Sequence, residues 1–141
     1  ENTITKLSSK GFKLGRSVNT GSTLFVSIGS TIGKVAQVRQ RVVTNQQINA
    51  IESSEKYDAN FVYSLMVYKA QSIRKLAATQ AVPIINKTTF SQIEVYVSPN
   101  INEQQKIGEF FVELDNIIDL HQRKLQKLQN LKKAYLNEMF I

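Results

Sequence analysis

The segment 103–141 constrains the fold more than any other part of the sequence. Ten of its positions step alternately by four and three residues, and all but two of them are apolar: Ile107, Phe111, Leu114, Ile118, His121, Leu125, Leu128, Lys132, Tyr135 and Met139. This spacing is typical of a coiled-coil seam and predicts one amphipathic helix over roughly residues 103–139. At ~1.5 Å per residue the helix would be about 55 Å long, more than a domain of this size can cover, so we expect a second helix to pack along it.

Further signals define where this helix begins and how wide its apolar face is. Asn102, followed three residues later by Gln105, predicts the N-terminal capping box, and Pro99 ends the preceding element. Five more apolar residues widen the stripe beyond a two-stranded seam: Phe110, Ile117, Leu120, Leu131 and Leu136. His121 is the only histidine, so we interpret it, like Lys132, as a polar seam residue that sets register rather than as a metal ligand or a catalytic base.

The net charge of +7 belongs to the first part of the chain. Residues 103–141 contain six basic and six acidic side chains, which cancel, so the whole excess lies in residues 1–102. A basic globular part joined to a neutral helix is expected where the first contacts a polyanion and the second contacts protein. A charge that serves only solubility is the alternative.

Residues 1–102 predict an α+β domain. Its strands are predicted where β-branched and aromatic residues concentrate, at 22–28, 34–38 and 42–44. These strands would form a small, twisted, mostly antiparallel sheet. With Asp58 as N-cap, apolar residues recurring at three- and four-residue steps predict a helix of some five turns packed on that sheet.

The end of this domain is predicted to be a loop and a strand. Residues 77–90 are loop-like, because Pro83 bars a helix there, and residues 93–97 predict a final strand that stops at Pro99. We therefore expect two domains, 1–102 and 103–141, the second being a single coiled-coil-like helix.

Several function classes are disfavoured by what the sequence lacks. The absence of cysteine excludes disulfides and thiolate metal sites and suits a reducing cytoplasm, where we expect the protein. No apolar run reaches the ~18 residues of a membrane span. The turn GSTIGK at 29–34 departs from a phosphate-binding loop, since three residues separate its glycines and Val35 follows the lysine. No set of base, nucleophile and metal ligands can be assembled, so we expect no enzyme activity.

Side chains suited to DNA cluster in the basic part. Lysine and arginine hold phosphates, whereas Asn, Gln and Arg read base edges. Such residues follow the turn 29–34 and recur in the later loop, and the predicted DNA contacts are Lys34, Arg39, Arg41, Asn45, Gln46, Gln47, Gln80 and Lys87. Each of these residues alone is more often an exposed polar side chain with no binding role. Their clustering in the part that carries the excess charge favours DNA binding.

The chain resembles the specificity subunits of type I restriction-modification systems. The resemblance is carried by five motifs in order: GSTIGKVA, Thr44-Asn45-Gln46, YDANFVYSLMVYK, ATQAVPIINKTTFSQIEVYV and NEQQKIGEFFVELDNIIDLHQRKLQKLQNLKKAYLNEMF. Together they match the end of a target recognition domain followed by its spacer helix. Recognition domains of this family are usually longer than 102 residues, and the chain begins without Met, so we expect further residues upstream.

The resemblance implies a non-catalytic reader of double-stranded DNA. The protein would recognise one half of a bipartite target and dock the methyltransferase and restriction subunits, to which S-adenosylmethionine, ATP and Mg would belong. The long helix would pair with a second recognition half, with a second copy in a homodimer, or with the methyltransferase. The alternative hypothesis is a helical adaptor or dimerisation module that binds protein only.

Overall fold

The computed structural model describes residues 7–52, 54–77 and 83–140. Its elements in chain order are α1 (Ser9–Leu14), β1 (Ser17–Val18), β2 (Thr23–Val26), β3 (Val35–Gln37), β4 (Val42–Val43), β5 (Ile48–Ile51), α2 (Ala59–Ala77), α3 (Lys87–Ser91) and α4 (Ile101–Met139). Small antiparallel sheets, a packed helix and one long C-terminal helix make up the α+β architecture, which confirms the predicted fold class.

Strand β2 is the centre of the main sheet. It pairs antiparallel with β3 on one side and with β5 on the other, and Phe25 lies opposite both Val35 and Asn49. Side chains alternate across a strand, so Thr23 and Phe25 point into the core while Leu24 is half-buried. Strands β1 and β4 form a separate antiparallel pair. The three predicted strands therefore exist in shorter form, whereas β5 was not predicted.

The core lies between β2 and α2. Its buried members are Phe25, Ile32, Met66, Ile73, Ala77 and Ile85. Each large apolar side chain removed from water in this way contributes about 1.5–3 kcal/mol. Helix α2 begins where the sequence predicts, because the Asp58 carboxylate accepts the N–H of Phe61 at 2.8 Å.

Two predictions for the segment before α4 are wrong. Residues 93–97 form no strand, and no described strand pairs with them, although burial alternates between half-buried Val95 and Tyr96, which is 96% exposed. Alternation defines two faces of an extended segment, but a strand also needs a neighbouring edge to hydrogen-bond with. The predicted loop 77–90 contains the start of α3, which Asn86 caps by accepting the N–H of Thr89 at 2.8 Å.

Helix α4 starts two residues earlier than predicted, so the proposed Asn102 cap is wrong. The cap is Asn100, whose side-chain oxygen accepts the N–H groups of Asn102 at 3.0 Å and Glu103 at 3.4 Å. Pro99 does not delay the helix because it precedes the cap and is outside the first turn. The half-buried Ile101 thereby becomes the first helical residue.

The first turns of α4 pack closely on the start of α2. Gln104 is 1% exposed; its oxygen accepts the N–H of Asp58 at 2.9 Å and its nitrogen donates to the carbonyl of Ser98 at 2.7 Å. One turn later, Gly108 lies so close to α2 that a Cβ there would come 2.7 Å from the backbone nitrogen of Phe61. These contacts join the two helix N-termini.

Beyond these turns α4 leaves the domain. Every residue from 113 to 140 is exposed, including the apolar stripe. None of the helices within the described ranges is both long enough and apolar enough to cross a membrane.

Candidate nucleic-acid interface and helix-pairing surface

Two of the predicted DNA-contacting segments lie at the end of β2 near Val26. The N–H of Val26 donates to the carbonyl of Lys34 at 2.9 Å, and the N–H of Ser27 donates to the carbonyl of Gln47 at 2.8 Å. The turn 29–34 and the loop 44–47 therefore flank the same end of the strand, and the Lys34 side chain is exposed there.

A buried polar contact brings a third segment to this end. The amide nitrogen of Asn49, which is 8% exposed, donates to the Ser27 hydroxyl at 2.7 Å and to the carbonyl of Ile85 at 3.4 Å. The N–H of Ile85 donates in turn to the carbonyl of Ser27 at 2.8 Å. Lys87 follows two residues later, exposed at the start of α3. Asn49 was missed because a buried Asn inside a strand has no signal in a single sequence.

The loop 44–47 presents three exposed amide side chains. The side-chain oxygen of Asn45 accepts the N–H of Gln47 at 3.0 Å, which closes an Asx turn. Because this bond occupies an acceptor of Asn45, the exposed amides of Gln46 and Gln47 are the freer groups for reading base edges.

A second cation, which the sequence analysis missed, lies beside Lys34. The turn 29–34 packs on α2: Gly33 has φ +91°, and a Cβ there would lie 3.5 Å from the carbonyl oxygen of Ala70 and from Cβ of Arg74. Between turn and helix is an open cleft of about 330 Å³, lined by Ser30, Thr31, Ile32, Gly33, Lys34, Val67, Ala70, Gln71 and Arg74. No acidic residue lines it, so the cleft suits a phosphate. Arg74 was missed because a helical position gave no reason to connect it with the turn.

Arg39 and Arg41 lie away from the candidate DNA-contacting residues at the Val26 end of β2. Gln37 pairs with Thr23, at the opposite end of β2, and the two arginines follow from there. The Arg41 guanidinium donates to the Ser17 hydroxyl at 2.8 Å and lies 5.8 Å from the centre of the Phe12 ring. The predicted DNA contacts thus form two groups, and Gln80 lies outside the described residues.

Arg39 is close to the junction of α2 and α4. Burial raises the pKa of the Tyr63 hydroxyl above its usual range, the Asp115 carboxylate raises that pKa further, and the Arg39 charge lowers it. Asp115 and Arg39 therefore each lie near enough to Tyr63 to act on the charge of its hydroxyl.

The predicted helix-pairing residues form one stripe along α4. Ile107 is half-buried where it meets α2, and the rest are exposed: Phe111, Leu114, Ile118, His121, Leu125, Leu128, Tyr135 and Met139. Lys132, which occupies a position of the same seam, is exposed as well. The flanking Phe110, Ile117, Leu120, Leu131 and Leu136 are also exposed. A contiguous apolar surface of this length is typical of an interface with another protein.

The stripe leads into an apolar groove between α2 and α4. Its volume is about 420 Å³, and it is lined by Phe61, Tyr63, Ser64, Leu65, Val67, Tyr68, Ile107, Phe111 and Asp115. Within the described part of the chain, no group of three His, Asp or Glu side chains is placed to hold a metal ion.

The described residues thus combine a basic, amide-rich end with a long helix whose apolar stripe is exposed. The family model described as the type I restriction modification DNA specificity domain matches residues 1–130. The chain therefore belongs to this family, which is the DNA-recognition and non-catalytic component of such systems. Membership confirms the predicted family resemblance.

Two relatives show how far the similarity extends. A specificity subunit of the type I restriction enzyme MjaVIII from Methanocaldococcus jannaschii is 19% identical over 123 residues, covering 87% of this chain and 29% of the relative. The crystal structure of a type I restriction-modification S subunit from M. genitalium matches with a TM-score of 0.70 at 17% identity, covering 88% of this chain and 33% of that one. The chain thus spans about a third of the length of these relatives.

Proposed function

We propose that the chain is the DNA-reading portion of a type I restriction-modification specificity subunit. It contacts one half of a bipartite double-stranded target and docks the methyltransferase and restriction subunits. The observation that carries the proposal is the family match over residues 1–130. The collection of basic and amide side chains at one end of β2 supports it and favours the DNA reader over a helical adaptor.

DNA recognition would use two kinds of contact, one to phosphates and one to base edges. Lys34 and Arg74 hold backbone phosphates in the cleft between the turn 29–34 and α2, while Gln46 and Gln47 reach base edges from the neighbouring loop. Phosphate contacts make the affinity for DNA fall steeply as the salt concentration rises. Each good bidentate contact between a side chain and a base edge favours the correct base over a wrong one by about 1–3 kcal/mol. Lys87, and at a distance Arg39 and Arg41, extend the basic surface.

The long helix separates this recognition domain from another. With 39 residues at ~1.5 Å each, α4 is about 58 Å long, which matches about 17 base pairs at ~3.4 Å per pair. It would act as a ruler that sets the distance between the two halves of the target. Its partner is a second recognition half or a second copy of this chain.

Charge along α4 favours antiparallel pairing. Residues 101–121 carry five acidic side chains and one basic, whereas residues 122–140 carry five basic and one acidic. An antiparallel pair sets each acidic half beside a basic half, and a parallel pair sets like charges side by side. Screening over about 8 Å at physiological salt leaves this effect intact for adjacent helices.

The partner subunits supply the chemistry of the assembled enzyme. S-adenosylmethionine would bind to the methyltransferase, ATP and Mg would serve the restriction subunit, and this chain would hold none of them. The assembly is proposed to act in the cytoplasm.

A salt series with charge-matched variants tests DNA reading. Binding of a random-sequence duplex is measured by fluorescence anisotropy between about 50 and 200 mM salt. The double variant Lys34→Ala/Arg74→Ala should bind more weakly, with a slope of log affinity against log salt that is smaller by about two. Arg123→Ala/Lys127→Ala removes the same charge from α4 and should leave the slope unchanged. Salt-independent binding, or equal losses in both variants, would contradict the proposal.

A further inference from the structure

The groove between α2 and α4 is left open by the fold. Val67 is 49% exposed, Tyr68 77% and Phe111 44%, although all three line the groove. Its α2 wall runs from Phe61 to Tyr68, eight residues that rise by about 10 Å along the helix. The groove is continuous with the pairing stripe, because Ile107 and Phe111 belong to both.

A two-helix seam does not use all the apolar surface near the far end of α4. Tyr135 and Met139 lie in the seam, but Leu136 lies beside it and is 47% exposed. Leu136 is 28 residues, or four heptads, after Gly108, so both occupy the same flank of the stripe. Gly108 marks the flank that packs against α2, since a Cβ there would touch Phe61.

Antiparallel pairing brings this flank of one helix beside the same flank of the other. A two-fold axis perpendicular to the plane of the two helices keeps each flank on its own side. When Phe111 lies opposite Tyr135 and Leu114 opposite Lys132, the far-end Leu136 of one copy comes beside Gly108 of the other. Leu136 of the one copy then lies on the side of the other copy's helix where α2 forms the second wall of the groove.

We propose that the groove between α2 and α4 binds the last two turns of the long helix of a second copy of this chain. Leu136 and Met139 of the second copy fill its apolar floor, and Lys132 of the second copy pairs with Asp115 on its rim. The segment from Lys132 to Met139 has eight residues, the same length as the α2 wall. This inference rests on the antiparallel pairing proposed above.

The arrangement accounts for two features that pairing alone leaves unexplained. Lys132 interrupts an apolar seam, and in this register it lies within one residue of Asp115, a carboxylate on the groove rim. Leu136 widens the stripe on the one flank that faces α2. Each recognition domain would be held by three helices, two of its own and one of its partner, so its orientation on the paired helices would be fixed.

Cysteine cross-linking tests the occupant directly, because the chain has no cysteine of its own. Single variants are mixed in pairs and treated with a short bismaleimide, and cross-linked dimers are counted by denaturing electrophoresis. Ser64→Cys is nearly isosteric and lines the groove, and mixed with Leu136→Cys it should cross-link efficiently. Ile118→Cys with Leu128→Cys, which lie opposite each other in the same register, reports the antiparallel seam without the groove. Ser64→Cys with Leu120→Cys is the negative control.

The outcomes separate the inference from the proposal beneath it. Cross-links in both the groove pair and the seam pair support the groove inference. A cross-linked seam pair with an unlinked groove pair overturns it and leaves the groove to another occupant, such as a helix of the methyltransferase. An unlinked seam pair overturns the antiparallel pairing and the groove inference together.

A second measurement does not depend on cysteine placement. Leu136→Asn should weaken dimerisation about tenfold or more in sedimentation equilibrium. Leu120→Asn changes a leucine that is 66% exposed and lies away from both the seam and the groove, and it should have little effect. Circular dichroism would check that both variants keep their helix content. Equal dimerisation of the two variants would also overturn the inference.

Discussion

Helix α4 has two regions that share one apolar repeat and differ in what covers them. In residues 101–112 the domain itself supplies the cover, and Gln104 and Gly108 are buried against α2. In residues 113–140 the repeat continues with every residue exposed. Periodicity therefore predicts an apolar helix face, and only the surrounding structure shows how much of that face the domain itself covers.

The largest expected effect belongs to the exposed region. The double variant Leu125→Asp/Leu128→Asp should weaken self-association at least about 100-fold, because each leucine contributes about 1.5–3 kcal/mol and a symmetric pair loses both copies. Thermal unfolding of the recognition domain should stay unchanged. Sedimentation equilibrium measures the first quantity and calorimetry the second, with Gln126→Asp on the outer face as the control. Full dimerisation of the double variant would show that the stripe is not the pairing surface.

Substitutions in the packed region, residues 101–112, should change the stability of the domain and not its self-association. Gln104→Ala leaves the N–H of Asp58 and the carbonyl of Ser98 without their partners, which should lower the free energy of unfolding by about 2–4 kcal/mol. Gln105→Ala changes its exposed neighbour and should cost less than about 0.5 kcal/mol. Urea unfolding compares them, and similar losses would mean that the junction does not depend on Gln104.

Added side-chain bulk should also affect the packed and the exposed regions of α4 differently. Gly108→Leu places a side chain where a Cβ alone would lie 2.6 Å from a carboxylate oxygen of Asp58, so we expect a loss of about 1–3 kcal/mol. Ala134→Leu adds the same bulk to the exposed region and should leave unfolding nearly unchanged. The melting temperatures of the two variants measure the difference. A stable Gly108→Leu protein would mean that α2 and α4 can separate at little cost.

The smallest effect concerns the start of the helix. Asn100→Ala removes the side chain that accepts the N–H groups of the first turn and should cost about 1 kcal/mol. Asn102→Ala, at the cap predicted from the sequence, should change stability by less than about 0.5 kcal/mol. Chemical denaturation resolves the pair, and a larger loss at Asn102 would restore the original prediction.

The fold could be predicted where local chemistry decides the structure. Asp58 and the apolar steps after it specify α2, and the alternating steps after residue 103 specify α4. Residues 93–97 show the opposite case, because an alternating segment becomes a strand only if another edge lies beside it. The short strand β5 was missed for the same reason, since its pairing with β2 is a contact between distant parts of the chain.

The candidate DNA interface was predictable by residue type and not by arrangement. Lys34, Gln46 and Gln47 were named from charge and composition, and the register of β2 with its neighbours brings them to one end. Arg39 was named on the same grounds and lies at the other end. Arg74 was not named, because its relation to Lys34 arises only when the turn 29–34 packs on α2. Whether each of these residues contacts DNA stays a prediction.

The sequence by itself determined that a long helix with a continuous apolar stripe ends this chain and that the excess positive charge precedes it. Both properties depend on residue type and spacing along one segment, which a sequence states directly. The tertiary structure decided that α2 covers only the start of that helix, through Gln104 and Gly108, and leaves an open groove beside Phe111. Such contacts join residues far apart in the chain, and their geometry exists only after the domain has folded.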